Sequence, residues 1–306
     1  MKKFLLLSVI AMTITCCSCS QNESEQQEKL IFREEMYATV THGIEYPDPE
    51  IGELALVNNE VHLSYFVENG LSKMTYGLLV FTNGAVQPYS VAGEHKNIHL
   101  FDLDEYQTKK INISFNPVMI NPNKNNFVSF ILMLDPLNIP PEAFCGHLQA
   151  ITQLQPWKIV NIDNNTLNCN YDFITDIASI QHTANILVAD ENQNALSSIA
   201  FDLTQEVTLN QNSPFEIPLN LQFSESGSYI ISVYLNNVAL NCFNGKKYLN
   251  ISPTQPTEYM ISLELSESDF DLLHVGDNTL YAVSIPVHNE SSDFGVEKSS
   301  SVVVHY

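Results

Sequence analysis

Arginine is almost absent from this sequence. Arg33 is the only one in 306 residues, and Lys plus Arg total 13 against 35 Asp plus Glu, a net charge of −22 at pH 7. Arginine is the side chain that grips phosphate in bidentate fashion. A surface this acidic also repels nucleic-acid backbones and anionic headgroups. Nucleic-acid binding and phosphate handling are therefore poor readings. Glycine is scarce as well, at 11 residues, and no two glycines are separated by a single residue. The glycine-rich loops that hold dinucleotides and nucleotide phosphates are thus missing. There is no P-loop, no Gly-x-Ser-x-Gly elbow, no His-Glu-x-x-His and no EF-hand loop. These absences point to a chain with no nucleotide, no cofactor, no metal and no enzymatic activity. No apolar run reaches the roughly 20 residues a transmembrane helix needs.

What is present begins with export. Met1-Lys2-Lys3 precedes an apolar stretch, Phe4 to Ile14, and then Thr15-Cys16-Cys17-Ser18-Cys19-Ser20. A short cationic start and an apolar segment of about a dozen residues make a signal peptide. The cysteine cluster resembles the lipobox of bacterial lipoproteins, in which a cysteine after small residues is acylated and becomes the mature N-terminus. Cys19, preceded by Ser18, fits that pattern better than Cys16 or Cys17, although Cys16 stands where the family usually has Leu. The resemblance implies a protein held in the bacterial cell envelope by N-terminal acyl chains, outside the cytoplasm. Residues 20–29 carry no apolar side chain and read as a flexible tether. Loss of residues 1–18 removes Lys2 and Lys3 and no acid, which takes the net charge to −24.

The body alternates with period two, the mark of half-buried strands. Val61, Leu63, Tyr65 and Val67 do so, as do Ile111, Ile113 and Phe115, then Leu219, Leu221 and Phe223, then Ile261, Leu263 and Leu265; Val302 to Val304 close the chain. Asn83-Gly84 and Asn236-Asn237 stand between apolar runs as hairpin turns. Tyr76 to Gly84 aligns with Tyr229 to Asn237 at a shift of 153, Ile113-Ser-Phe with Ile261-Ser-Leu at 148, and Asn126-Phe-Val-Ser with Asn278-Thr-Leu-Tyr at 152. Three anchors in one order suggest two copies of one module. Gly227-Ser228-Tyr229 ahead of a hairpin resembles the penultimate strand of immunoglobulin-like modules on bacterial surface proteins, whose tyrosine commonly anchors its hydroxyl to nearby backbone.

The expected fold is all-β, two tandem antiparallel β-sandwiches of immunoglobulin-like type after a signal peptide and tether. The expected divisions are 1–18 signal peptide, 19–29 acylated tether, 30–140 first sandwich, 141–156 linker or short helix, and 157–306 second sandwich, the modules being independent. Candidate chemistry is thin. His95 and His99 would meet only on a helix. Asp102-Leu103-Asp104-Glu105 and Asp269-Phe270-Asp271 are acidic enough to attract calcium but read as solvated loops. Cys169 and Cys242 could pair, or remain small buried thiols. Tyr46, Tyr89 and Trp157 follow or precede prolines in turn-like surroundings and are the candidate ligand-contact aromatics. The expected role is recognition of an extracellular protein or glycan through loops and strand edges. Alternatives are an accessory envelope enzyme or inhibitor without a recognisable motif, and a structural spacer.

Overall fold

The computed structural model describes residues 40–45, 52–121, 124–137, 150–162, 174–187, 197–201, 207–208, 216–265, 267–287 and 295–306. Twelve strands belong to a first sandwich: β1 (Val40–Glu45), β2 (Glu53–Ala55), β3 (Val61–Asn69), β4 (Met74–Thr82), β5 (Ala85–Val86), β6 (Tyr89–Val91), β7 (Glu94–Lys96), β8 (Ile98–Leu103), β9 (Thr108–Phe115), β10 (Phe127–Leu134), β11 (Ile151–Gln153) and β12 (Trp157–Val160). Twelve more belong to a second: β13 (Ile174–Asp176), β14 (His182–Ile186), β15 (Ser198–Phe201), β16 (Val207–Thr208), β17 (Glu216–Phe223), β18 (Tyr229–Leu235), β19 (Val238–Ala239), β20 (Tyr248–Ile251), β21 (Thr257–Glu264), β22 (Asp277–Pro286), β23 (Glu297–Lys298) and β24 (Val302–His305). Among the described residues a short α-helix, α1 (Glu267–Phe270), precedes β22, and a 3-10 turn, Ile177–Ser179, follows β13. Among the described residues no helix is long and apolar enough to cross a membrane.

The chain is all-β, as its alternation predicts. In the first sandwich the sheet order β1-β3-β9-β6-β7 faces β2-β12-β10-β4-β5, with β8 and β11 added to the second sheet. The second sandwich pairs β15-β17-β21-β14 with β13-β20-β18-β22-β24-β16, with β19 and β23 added. Strands β1, β3 and β9 thus lie in one sheet and β4, β10 and β12 in the other, which is how the immunoglobulin fold divides its strands A, B, E and C, F, G. The second sandwich repeats that division with β15, β17, β21 and β18, β22, β24. Even the parallel pair recurs, β2 on β12 and β16 on β24.

The repeat extends to individual hydrogen bonds. Asn83 holds a left-handed backbone (φ 47°), and its amide nitrogen donates to the Met119 carbonyl and to Asn126 Oδ1 (2.8 Å), while its oxygen accepts from the Phe127 N–H (2.9 Å). Asn236 (φ 50°) donates to the Leu272 carbonyl (3.1 Å) and Asn278 Oδ1 (2.8 Å), and accepts from the Thr279 N–H (3.0 Å). Asparagine tolerates this backbone region and carries donor and acceptor on one short side chain. One pair of asparagines therefore closes the same end of each sandwich.

The expected divisions shift. The second sandwich does not start at 157: Trp157 and Lys158 pair with Val128 and Phe127 of β10, and Lys158 to Val160 run parallel to Glu53 to Ala55. Strand β12 is the last strand of the first sandwich, the counterpart of β24. Within the expected 141–156 linker, Ile151–Gln153 is a strand on β10, while 141–149 lies outside the described residues. The Gly227-Ser-Tyr segment opens β18, the equivalent of strand C and not the penultimate strand. The Tyr229 hydroxyl has no hydrogen-bond partner among the described residues, and its ring packs on Phe223 at 4.4 Å. A Cβ at position 227 would stand 3.0 Å from that ring, which would have to give by a few tenths of an ångström.

The two sandwiches also share a core. Strands β4, β10, β18 and β22 are buried along nearly their whole length, on both faces. Their inward faces line the two sandwich cores. Their outward faces meet each other: Leu79, Phe81, Ile131 and Met133 form one buried cluster with Tyr234, Tyr281, Val283, Ile285 and Val296. The Tyr234 and Tyr281 rings stack within it at 5.0 Å. The Val86 N–H donates to Tyr248 Oη (3.1 Å) and the Val296 N–H to Gln153 Oε1 (2.7 Å) across the same junction. Residues 40–306 are accordingly one compact unit.

Candidate functional site

The junction leaves a cleft at one end. Its floor is Met119, Ile174, Ile230 and Val287, and its volume is about 370 Å³, within the range of small-molecule and peptide side-chain sites. One wall comes from the second sandwich. Because β13 runs parallel to β20, Asp176 stands opposite Asn250, whose amide donates to Asp176 Oδ1 (2.7 Å). Ser228 Oγ donates to Asn250 Oδ1 (3.4 Å) and accepts from Ser252 Oγ (3.2 Å). The other wall is the turn before β10. There Asn126 donates to the carbonyls of Asn121 and Lys124 (both 2.8 Å) and accepts from the Asn121 N–H (2.7 Å), which fixes the turn that carries Lys124.

Among the described residues, Lys124 and Asp176 are the only charged side chains lining the cleft, one of each sign, and the rest of its polar lining there is amide and hydroxyl. No lining hydroxyl has a histidine or carboxylate within hydrogen-bond reach among the described residues. The lining suits an uncharged or zwitterionic ligand rich in hydroxyl or amide groups. A second, more open recess of about 480 Å³ lies on β3, β6 and β9, bordered by His62, Ser90, Asn112 and Ser114.

One buried polar chain lies elsewhere. His42 on β1 hydrogen-bonds through Nδ1 to the Tyr65 hydroxyl and through Nε2 to Thr152 Oγ1 (2.9 Å). It ties β1 to β11, strands of opposite sheets. Burial lowers its pKa to about 4.

The candidate aromatics are not where the turns suggested. Tyr89 is fully buried (0% exposed) and its hydroxyl donates to the Leu78 carbonyl (2.6 Å); burial pushes that phenol far above its ordinary range. Trp157 is 8% exposed within β12. Both plug the first sandwich and neither offers a contact surface, because the prolines before them stand just before strand residues. Tyr46 and Cys19 lie outside the described residues. His95 and His99 fall on β7 and β8, strands of different sheets. Asp102 accepts from Thr75 Oγ1 (2.7 Å), Asp104 stands 3.9 Å from Lys73, and Asp269 is buried and accepts from the Asn241 N–H (3.1 Å). Among the described residues no three His, Cys, Asp or Glu side chains are grouped to hold a metal ion. Cys242 is a free, buried thiol; burial, with the Asp269 carboxylate nearby, pushes its pKa well up, and Cys145 and Cys169 lie outside the described residues. The residues that do converge on the cleft went unnoticed in sequence. Their one visible signal is the asparagine-rich stretch 121–126, whose composition is that of a turn.

No protein-family model matches the chain, and no curated protein matches it. Among solved structures, red sea bream transglutaminase matches at 9% identity and a TM-score of 0.22, over 94% of this chain and 34% of that one. A protein of unknown function from Porphyromonas gingivalis W83 matches at 12% and 0.26, over 87% and 99%. The E. coli chaperone DraB matches at 11% and 0.26, over 87% and 98%. These likenesses assign no activity.

Proposed function

We propose that the chain is a lipid-anchored binding protein of the bacterial envelope, acylated at Cys19, that takes part of an extracellular protein or glycan into the cleft between its sandwiches and does not catalyse a reaction. The observation that supports this reading most is the cleft itself. Its walls come from both sandwiches, which a shared core holds in one arrangement, and a site preorganised this way avoids ordering costs on binding. Its balanced charge and its amide and hydroxyl lining favour a neutral polar ligand over phosphate or nucleic acid. The acidic body around it adds a preference for basic partner surfaces, weakened as salt rises.

The test uses the membrane-bound protein. Mass spectrometry should find a mature N-terminal peptide beginning at acylated Cys19. Full-length chain displayed on beads should capture a defined species from extracellular material, and Thr175→Trp, which fills the cleft, should lose it. An unacylated N-terminus beginning elsewhere overturns the anchor. Equal capture by both chains, or turnover of a substrate by either, overturns the cleft reading.

A further inference from the structure

The two sandwiches differ at one sheet edge. In the first, β6 stands beside β9 and is itself covered by β7, where Glu94 and Lys96 form an ion pair (3.0 Å). In the second, the place beside β21 is taken by β14, and among the described residues no further strand covers it. This difference has a cause in the chain. Between β19 and β20 the second sandwich has only a tight turn, closed by a Phe243–Lys246 bridge, where the first has β6 and β7. Its edge strand comes instead from the segment that precedes its own first strand.

Strand β14, His182-Thr-Ala-Asn-Ile, is exposed at four of its five residues, with Ile186 66% accessible. Residues 177–189 contain no Asp, Glu, Lys, Arg or Pro. Bare sheet edges pair with other chains unless charge, proline or a bulge blunts them. Charge and proline are absent from β14, and its register with β21 is unbroken.

We infer that two copies of this chain pair through β14, antiparallel about a two-fold axis at Ala184. The β14 of the second copy then stands where β7 stands beside β6. In this register Ala184 faces Ala184, His182 faces Ile186 and Thr183 faces Asn185. No like charges are opposed, and the pairs on each face are compatible. The interface is isologous, and it joins two four-stranded sheets into one of eight. The acidity of the molecule opposes contact between copies nearly everywhere, and this strip is where the opposition is weak. The acid on the adjacent strand, Glu258, accepts hydrogen bonds from Asn220 (2.8 Å) and Gln222 (3.1 Å). Across the pair, the two Glu258 residues stand three strand spacings apart, about 14 Å. That exceeds the Debye length of about 8 Å at physiological salt. Five residue pairs make a small contact, so the association is weak and concentration-dependent.

Full-length chain in mild detergent tests the pairing. Sedimentation from roughly 5 to 200 µM, where small interfaces assemble, should show a concentration-dependent dimer. Ala184→Lys, which sets two ammonium groups against each other at the axis, should lose that dimer while keeping its circular dichroism and melting midpoint. Ala184→Cys gives a readout independent of any loss of stability. Cross-strand Cα atoms about 5 Å apart are within disulfide reach, so oxidation should yield a 184–184 linked peptide. Val275→Cys, at a residue 95% exposed, should link far less. A chain that stays monomeric throughout, or equal linkage at 184 and 275, overturns the inference.

Discussion

At the residue scale, two kinds of buried polar side chain hold this molecule, and they respond differently to pH. The paired asparagines are neutral at every pH, and each satisfies buried backbone groups that would otherwise cost about 1–3 kcal/mol apiece. His42 is different, because burial holds its pKa near 4 while the unfolded chain titrates near 6.5. As pH falls below about 6.5 the unfolded chain takes up a proton that the folded chain refuses until about 4. Stability therefore declines across that window and is not recovered below it, by roughly 3 kcal/mol at full effect. Urea unfolding of the native chain and of His42→Gln at pH 7 and pH 4.5 should show the smaller loss in the variant. Equal losses would mean that the imidazole is not held neutral.

At the element scale the hairpins do more than reverse the chain. Asn83-Gly84 joins β4 to β5 with Thr82 opposite Ala85, and Asn236-Asn237 joins β18 to β19 with Leu235 opposite Val238. Gly84 has φ 86°, and a Cβ there would stand 2.6 Å from Ile230 Cβ of the other sandwich. Gly84→Ala should therefore combine left-handed strain, about 1–2 kcal/mol, with overpacking, about 1–3 kcal/mol. Adding Ile230→Gly, which removes the Ile230 Cβ together with its branches, relieves only the second part. In a double-mutant cycle read by urea unfolding, the coupling should exceed about 1 kcal/mol. Strict additivity would show that the turn does not touch the second sandwich.

At the scale of the whole molecule, the consequence is cooperativity. The full chain should unfold in one transition. Residues 174–306 expressed alone would uncover Tyr234, Tyr281, Val283, Ile285 and Val296, which are buried in the junction. An apolar patch of that kind binds hydrophobic dyes and promotes association. The fragment should bind such a dye and melt below the full chain. Two separate transitions in the full chain, with a fragment that is monomeric and melts at the same temperature, would restore independent modules.

The sequence by itself determined the strands, the turns and the repeat, because period-two alternation and the Asn-Gly and Asn-Asn pairs are local signals. It also held two signs that alternation alone does not use. Leu78-Leu79-Val80-Phe81 and Phe130 to Leu134 are continuous apolar runs, the mark of strands covered on both faces, and the junction core lies on them. The repeat shift of about 150 carries Val302 to Val304 back to the neighbourhood of Trp157, so the first copy extends through β12. Only the tertiary structure decided which face meets which. The cleft is built from Lys124 on one sandwich and Asp176 and Asn250 on the other, residues brought together by packing between sheets, which has no period along the chain. The same reason put Tyr89 and Trp157 inside: a ring next to a proline looks the same in sequence whether the strand beside it faces solvent or core.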